Sequence, residues 1–283
     1  MENESFFFST EDQTFMISQS EGIGHYTMVT THAHDHYELY YLLSGERHYF
    51  VKDKSFLVKS GDLVLINPRV LHKTVDSGLP NYKRIVIYFT NEFILAQNSI
   101  IKTLVTDVFS LNHCLIRLPQ EKRNPIENMI LKIVQESKIQ QPGYDILLKA
   151  NLMQLLVNIF RNAEYNLAQT LEIPSPKHNK VSKIVEYMNE HYMDCLTLAE
   201  ISEMFLISPY HLTRIFKEST GFTFIEYLNT KRVQEAKVLL VETNLKVIDI
   251  SQMVGFDSVV HFGRMFKKIS GMTPIYYRKN NKL

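Results

Sequence analysis

The sequence predicts an α+β protein in two parts. A strand-rich barrel with a helical hairpin comes first, then an all-α region with two helix-turn-helix units joined by a long helix. Three observations lead there. From about residue 15 to 90, short runs rich in Tyr, Val, Ile and Phe alternate with turn residues. From about 124 to 165, apolar residues recur at helical spacing. Beyond 180 a helical pattern repeats after 49 to 50 positions.

The strand signals are Glu38–Leu43, His48–Val51, Leu63–Ile66 and Ile85–Phe89, punctuated by Gly45, Gly61, Pro68 and Gly78. Many short strands with turn signals suggest a sandwich or small barrel. In the hairpin, Ile126, Met129, Ile130, Ile133 and Val134 mark one helix, and Leu148, Leu152, Leu155, Leu156 and Ile159 the other. Gln141-Pro142-Gly143 reads as the turn between them. These apolar positions exceed what one packed face needs, so the segment is expected to dimerise; packing on the barrel is the alternative use. The Pro-rich, polar stretch Ile173–Asn179 reads as a linker. The expected domains are therefore 1–172 and 180–283, with 173–179 between them.

Within the second part, Ile201-Ser202 recurs as Ile250-Ser251, Arg214 as Arg264, Phe216-Lys217 as Phe266-Lys267 and Gly221 as Gly271. The connector Phe222–Glu242 carries Ile225, Leu228, Val233, Ala236, Leu239 and Leu240 on one side and reads as one helix. In the first copy Ser208 caps a helix that begins with Pro209. Leu212, Ile215 and Phe216 form its buried face, and Tyr210, Thr213, Arg214 and Lys217 its outer face. In the second copy Asp257 or Ser258 is the cap. Phe262 and Phe266 go inward, while Val259, Arg264, Lys267 and Lys268 go outward. A connector of about 20 residues spans about 30 Å as a helix. Successive major-groove faces of B-DNA lie roughly 34 Å apart, so both outer faces could meet one duplex from one side.

Composition narrows the function classes. The 283 residues are 45% hydrophobic and 22% charged, which is globular composition. Runs such as Val238–Val241 are too short to span a bilayer. Met1–Thr10 is acidic and Phe-rich, unlike a secretory leader, so a soluble cytoplasmic protein without a membrane partner is expected. Cys114 and Cys195 stand alone without a CxxC, which supports neither a disulfide framework nor a zinc finger. Net charge is +1, but residues 177–283 hold 15 Lys/Arg against 11 Asp/Glu. The C-terminal part is the one suited to a polyanion.

The run Arg232-Val233…Ala236…Leu239-Leu240, then Gly255-Phe256-Asp257…Phe262…Arg264…Phe266-Lys267-Lys268…Gly271-Met272-Thr273-Pro274…Tyr277-Arg278, resembles the signature of AraC-type transcription regulators, over about Lys180 to Lys279. The resemblance implies binding to double-stranded promoter DNA, with RNA polymerase as a further partner. It implies contacts from Tyr210, Thr213 and Arg214 in one recognition helix and from Val259, Val260, Gly263 and Arg264 in the other. The basic Lys217 and Lys267 on the same faces suit phosphates. Arg can bond a guanine edge twice, and Val can meet a thymine methyl. Val260 and Gly263 stand where the family often has small hydroxyl residues, which predicts more shape and phosphate contact from the second unit.

The cluster His32-Ala33-His34-Asp35-His36-Tyr37-Glu38, with Gly45, Gly61-Asp62, Asn67-Pro68 and His72, resembles the cupin barrel motif. In metal-bearing cupins His32, His34, Glu38 and His72 would be the ligands, and such a donor set suits iron, manganese, zinc or nickel. The second half of the motif departs from the pattern: Val70 replaces a common Gly, and Gly24 comes two positions early. The expectation is therefore a cupin-like domain without metal or other cofactor. It would hold a small-molecule effector, a sugar or other metabolite, among His34, His36, Glu38, Tyr40, Arg47 and His72. The protein is expected not to be an enzyme; the alternative is a metal-dependent cupin enzyme with an appended helical domain.

Overall fold

The computed structural model describes residues 2–23, 34–95, 99–110, 114–163 and 176–281. Most residues up to Ile173 form one compact unit, and Pro174–Leu283 form the main part of a second.

The first unit contains strands β1 (Glu2–Ser9), β2 (Phe15–Ile23), β3 (Tyr37–Ser44), β4 (Glu46–Val51), β5 (Lys54–Lys59), β6 (Asp62–Ile66), β7 (His72–Val75), β8 (Asn81–Phe89) and β9 (Leu115–Arg117). One sheet has the order β1-β2-β8-β3-β6-β9 and the other β5-β4-β7. In the larger sheet Glu38 pairs with Tyr88 and Ile66, and Tyr40 with Val86 and Val64, in antiparallel ladders. Side chains alternate across a strand. Leu39, Tyr41, Leu63, Leu65, Ile85 and Ile87 share one core with the helices. Tyr40, Leu42, Val64, Ile66, Tyr82 and Val86 face the other way and join Tyr49, Val51 and Val58 of the smaller sheet. With both faces covered, these strands read as nearly continuous apolar runs. At the β3–β4 turn Gly45 has φ +85°, and a Cβ there would lie 2.3 Å from the Asn81 carbonyl oxygen. Only glycine fits that turn.

Helices α1 (Asn91–Leu95), α2 (Ser99–Phe109), α3 (Gln120–Ile139) and α4 (Tyr144–Ala163) follow. The α3–α4 hairpin turns through Gln140, left-handed at φ 51°, whose N–H bonds the Glu136 carbonyl oxygen. The sequence placed a surplus of apolar residues here; the structure buries those it named, while Ile146, Leu147 and Phe160 stay exposed. Ile126, Ile133, Leu148, Leu152, Leu155 and Ile159 are buried, with Met129 packed against them. The hairpin meets a six-stranded sheet together with α1 and α2, a larger partner than one barrel face.

The second unit contains α5 (Pro176–Glu190), α6 (Leu198–Met204), α7 (Pro209–Thr220), α8 (Phe224–Glu242), α9 (Val247–Met253), α10 (Val259–Ser270) and α11 (Pro274–Asn281). Pro176–Asn179, read from sequence as linker, opens α5, where a proline at the first position costs no hydrogen bond; residues 173–175 lie outside the described ones. Ile225, assigned to the apolar side of the connector, is exposed, and Phe224 and Tyr227 are buried instead.

The repeat extends to the backbone. Between α6 and α7 the left-handed residue is Leu206 (φ 52°), and between α9 and α10 it is Gly255 (φ 88°), 49 positions on. The next residues bond alike: Ile207 N–H to the Ser202 carbonyl (3.0 Å) and Phe256 N–H to that of Ser251 (2.9 Å). A Cβ on Gly255 would meet the Met193 carbonyl oxygen at 2.6 Å, so glycine is required there. Leu206 holds the same conformation at 87% exposure, against the left-handed penalty of an ordinary residue.

Candidate nucleic-acid interface and ligand site

Helix α7 starts where Ser208 accepts a bond from the His211 N–H (3.3 Å), followed by Pro209. Leu212, Ile215 and Phe216 are buried, so Tyr210 (81% exposed), Thr213, Arg214 and Lys217 share the outer face. The Thr213 hydroxyl donates to the Pro209 carbonyl (2.9 Å), which leaves its oxygen to accept. Helix α10 is capped by Ser258, not Asp257. Phe262 and Phe266 are buried. Val259, Val260, Arg264 and Lys267 are exposed, and Gly263 is half-exposed between them. No acidic residue occurs in α10, while Arg264, Lys267 and Lys268 do. The connector α8 has 19 residues, about 28 Å of helix.

Arg232 and Arg278, two further cations of the motif, act as internal braces. Arg232 donates to the Tyr192 (2.7 Å) and Asp194 (2.8 Å) carbonyl oxygens. Arg278 donates to those of Leu240 (3.1 Å) and Leu245 (2.6 Å).

The candidate ligand site of the first unit is built on Glu38. Alternation along β3 turns Glu38, Tyr40 and Leu42 away from the helices, and Glu38 is 2% exposed. Its Oε2 lies 2.9 Å from His34 Nε2 and 3.1 Å from His72 Nε2, and its Oε1 accepts from the Tyr49 hydroxyl at 2.8 Å. Both imidazoles also use their other nitrogen: His34 Nδ1 lies 3.0 Å from the His36 carbonyl oxygen and His72 Nδ1 2.8 Å from that of Val70. Burial works against the charge on Glu38 and His72, but their mutual attraction wins. The His72 and His34 rings hold the Glu38 carboxyl well below the usual range, and Glu38 raises His72. Burial first, then Glu38, pushes the Tyr49 phenol well up, so it stays protonated and donates.

Of the six residues expected at the site, the structure brings His34, Glu38 and His72 into direct contact. His36 turns elsewhere, with Nε2 2.9 Å from the Gln13 carbonyl oxygen. Tyr40 is buried on the inward face beside Tyr49, ring centroids 5.0 Å apart. Arg47 is buried on β4, its guanidinium 4.3 Å from the centre of the Tyr82 ring. Sequence reading missed Tyr49 and Tyr82; the two-residue step from Arg47 to Tyr49 on β4 was the available signal for the first. As metal donors, one atom each of His34, Glu38 and His72 lie within 4.8 Å of one another. The fourth implied ligand, His32, lies outside the described residues.

The AraC-like ligand binding domain family matches residues 20–156, and a helix-turn-helix domain family matches residues 201–280. The chain belongs to the AraC family. Among relatives, the HTH-type transcriptional regulator YdeC of Bacillus subtilis is 25% identical over 89% of this chain and 87% of its own. An HTH-type transcriptional regulator of Staphylococcus aureus is 27% identical over 84% of this chain, which spans only 31% of that protein's length. Among solved structures, ToxT of Vibrio cholerae covers 94% of this chain and 98% of its own at 18% identity, TM-score 0.40. The C-terminal domain of AraT from Geobacillus stearothermophilus is 32% identical over 40% of this chain and 91% of its own, TM-score 0.37. Among the described residues, no helix is long and apolar enough to cross a membrane.

Proposed function

We propose that this AraC-family chain is a cytoplasmic, non-enzymatic transcription regulator that binds promoter DNA through α7 and α10 and senses a small molecule in its barrel. The observation that carries the reading is the pair of serine-capped helices with one repeated backbone frame. Each keeps its apolar face buried and offers an Arg and a Lys outward, Arg214 and Lys217 in one, Arg264 and Lys267 in the other. The effector acts by population shift, binding one arrangement of the protein more tightly than another. Titration of a fluorescent operator fragment at several salt concentrations, with and without effector, tests it. A steep salt slope with no preference among sequences would reduce the chain to a general polyanion binder.

The domain boundary is placed within 173–179. A homodimer is part of the proposal, on different residues from those the sequence suggested. On α4, Ile146, Ala150, Met153, Val157 and Phe160 follow one another at steps of four and three, and each is exposed or half-exposed. That spacing is the seam of a helix pair, and a second copy offers the matching seam.

A metal-dependent cupin enzyme is the rival reading, favoured by the three donor atoms within 4.8 Å. We read the cluster as a metal-free ion network, because Glu38 Oε2 sits at hydrogen-bond distance from both imidazoles. Elemental analysis near one metal per chain, lost on mutation of His34 or His72, would reverse that choice.

A further inference from the structure

We propose that the barrel takes its effector as an anion: a small organic carboxylate seated on Arg47. The inference rests on the effector reading above and adds the ligand's charge. Arg47 is the second residue of β4, and alternation places it with Tyr49 and Val51 on the inward face. It is 1% exposed. Among the described residues none of its three guanidinium nitrogens has a hydrogen-bond partner. Asp76 is the neighbouring carboxylate, but its Oδ1 stands 4.0 Å from Nη1, beyond hydrogen-bond reach.

The side chain is nonetheless held in place. The Tyr82 ring covers the face of the guanidinium at 4.3 Å. Gly22 makes room for that ring, since a Cβ there would lie 2.0 Å from Tyr82 Cε1. What Arg47 keeps uncommitted is its N–H edge, and that edge matches a carboxylate through two parallel bonds. Glu38, the other carboxylate of this face, bonds Tyr49 and lies against His34 and His72, and it makes no hydrogen bond to Arg47. Arg84, opposite Leu42 in the ladder and two residues from Tyr82, adds a second guanidinium on the same inward face. The Tyr40 and Tyr49 rings, buried on this face with centroids 5.0 Å apart, make the surroundings of Arg47 aromatic. A buried cation whose donors lack hydrogen-bond partners costs folding free energy, so Arg47 exchanges stability for binding.

The test compares benzoate with its neutral analogue benzamide at matched ionic strength, on the full chain, by thermal melting. Benzoate should raise the melting temperature by several degrees and benzamide should not. Arg47→Met should abolish the benzoate response. Arg47→Lys keeps the charge without the fork and should weaken the response. Without any ligand, Arg47→Met should melt at least as high as the parent, because it removes a buried cation whose N–H donors are unsatisfied. A lower melt for ligand-free Arg47→Met, an equal response to benzamide, a benzoate response that survives Arg47→Met, or no response to benzoate would each overturn the inference. Operator titrations separate it from the reading beneath it. A neutral compound that shifts operator affinity keeps the effector role and removes the carboxylate. Benzoate seated on Arg47 in a chain that binds no operator keeps the anion site and removes the regulator.

Discussion

Gly263→Ala separates the fold of α10 from its proposed use. Gly263 lies inside the helix, and a Cβ placed there meets nothing within 4 Å. Alanine should therefore enter without a clash and gain about 0.8–1 kcal/mol of helix propensity. For a unit of this size that raises the melting temperature by about 4–8 °C. On DNA the sign reverses. Gly263 sits between Val260 and Arg264 on the outer face, and a recognition helix lies close against the groove. One added methyl in a close-packed contact costs on the order of 1–3 kcal/mol, which is roughly 5- to 150-fold in affinity. Circular-dichroism melts and anisotropy titrations of a labelled operator give the two quantities. A more stable variant with unchanged operator affinity would show that this face stands clear of DNA. A less stable variant would show that the open space at Gly263 is filled.

Arg214→Ala should cost about 1–3 kcal/mol at one base position, whereas Lys267→Ala should weaken all sequences alike and flatten the salt slope; equal losses on every sequence from both would sink the assignment of Arg214 to base reading. His72 is raised above its ordinary 6.5, so its stabilisation is complete below that pH and fades as pH climbs through the raised value. Glu38 is lowered, so its share is complete above its ordinary 4.5 and fades as pH falls through the lowered value. Urea melts across pH should show both losses, with His72→Gln abolishing the alkaline one; an unchanged alkaline limb would place the titrating group elsewhere. Leu206→Gly should stabilise by about 0.5–1 kcal/mol, the left-handed penalty less the entropy of glycine, and a destabilised variant would mean Leu206 is held by contacts. Val157→Glu should convert a dimer to a folded monomer in sedimentation; a dimer that persists would move the interface off α4.

Much of the second unit was legible because its signals are local. Ser208 with Pro209, and the spacing Leu212, Ile215, Phe216, fix a helix start and its buried face from neighbouring residues alone. The left-handed turn at Leu206 was hidden, because leucine carries no mark of the backbone it adopts; only the 49-residue match to Gly255 exposes it. The first unit was legible in strand type but not in layering. Neighbours on a strand such as Tyr40 and Tyr41 face opposite sides, yet the alternation could not say that one side met helices and the other a second sheet. The same blindness assigned the surplus of α3 and α4 to positions that are buried. Leu148 or Ile159 looks free until the six strands beneath it are counted. Tyr49 escaped because its partner Glu38 is 11 positions away on another strand, and the hairpin register had to be known before the pair could be seen.

The two helix-turn-helix copies share a backbone, so their side chains alone divide the work. The outer face of α7 offers a phenol, a threonine oxygen free to accept, a guanidinium and an ammonium. That set can address several base edges and a phosphate. The outer face of α10 offers two valines and a bare glycine ahead of Arg264, Lys267 and Lys268. Valine methyls distinguish a thymine methyl from its absence, but they cannot tell guanine from adenine by hydrogen bonding. Base preference under the first copy should therefore rest on several polar side chains, and under the second on methyl-bearing steps, groove shape and Arg264 alone. The second copy's basic residues, with no acid in the helix to offset them, should carry the larger share of the salt dependence. Exchanging the outer-face residues of α7 and α10, with the caps and buried faces kept, should exchange those two behaviours between the half-sites. If each half-site kept its original preference after the exchange, specificity would come from the geometry of α8 rather than from the faces it connects.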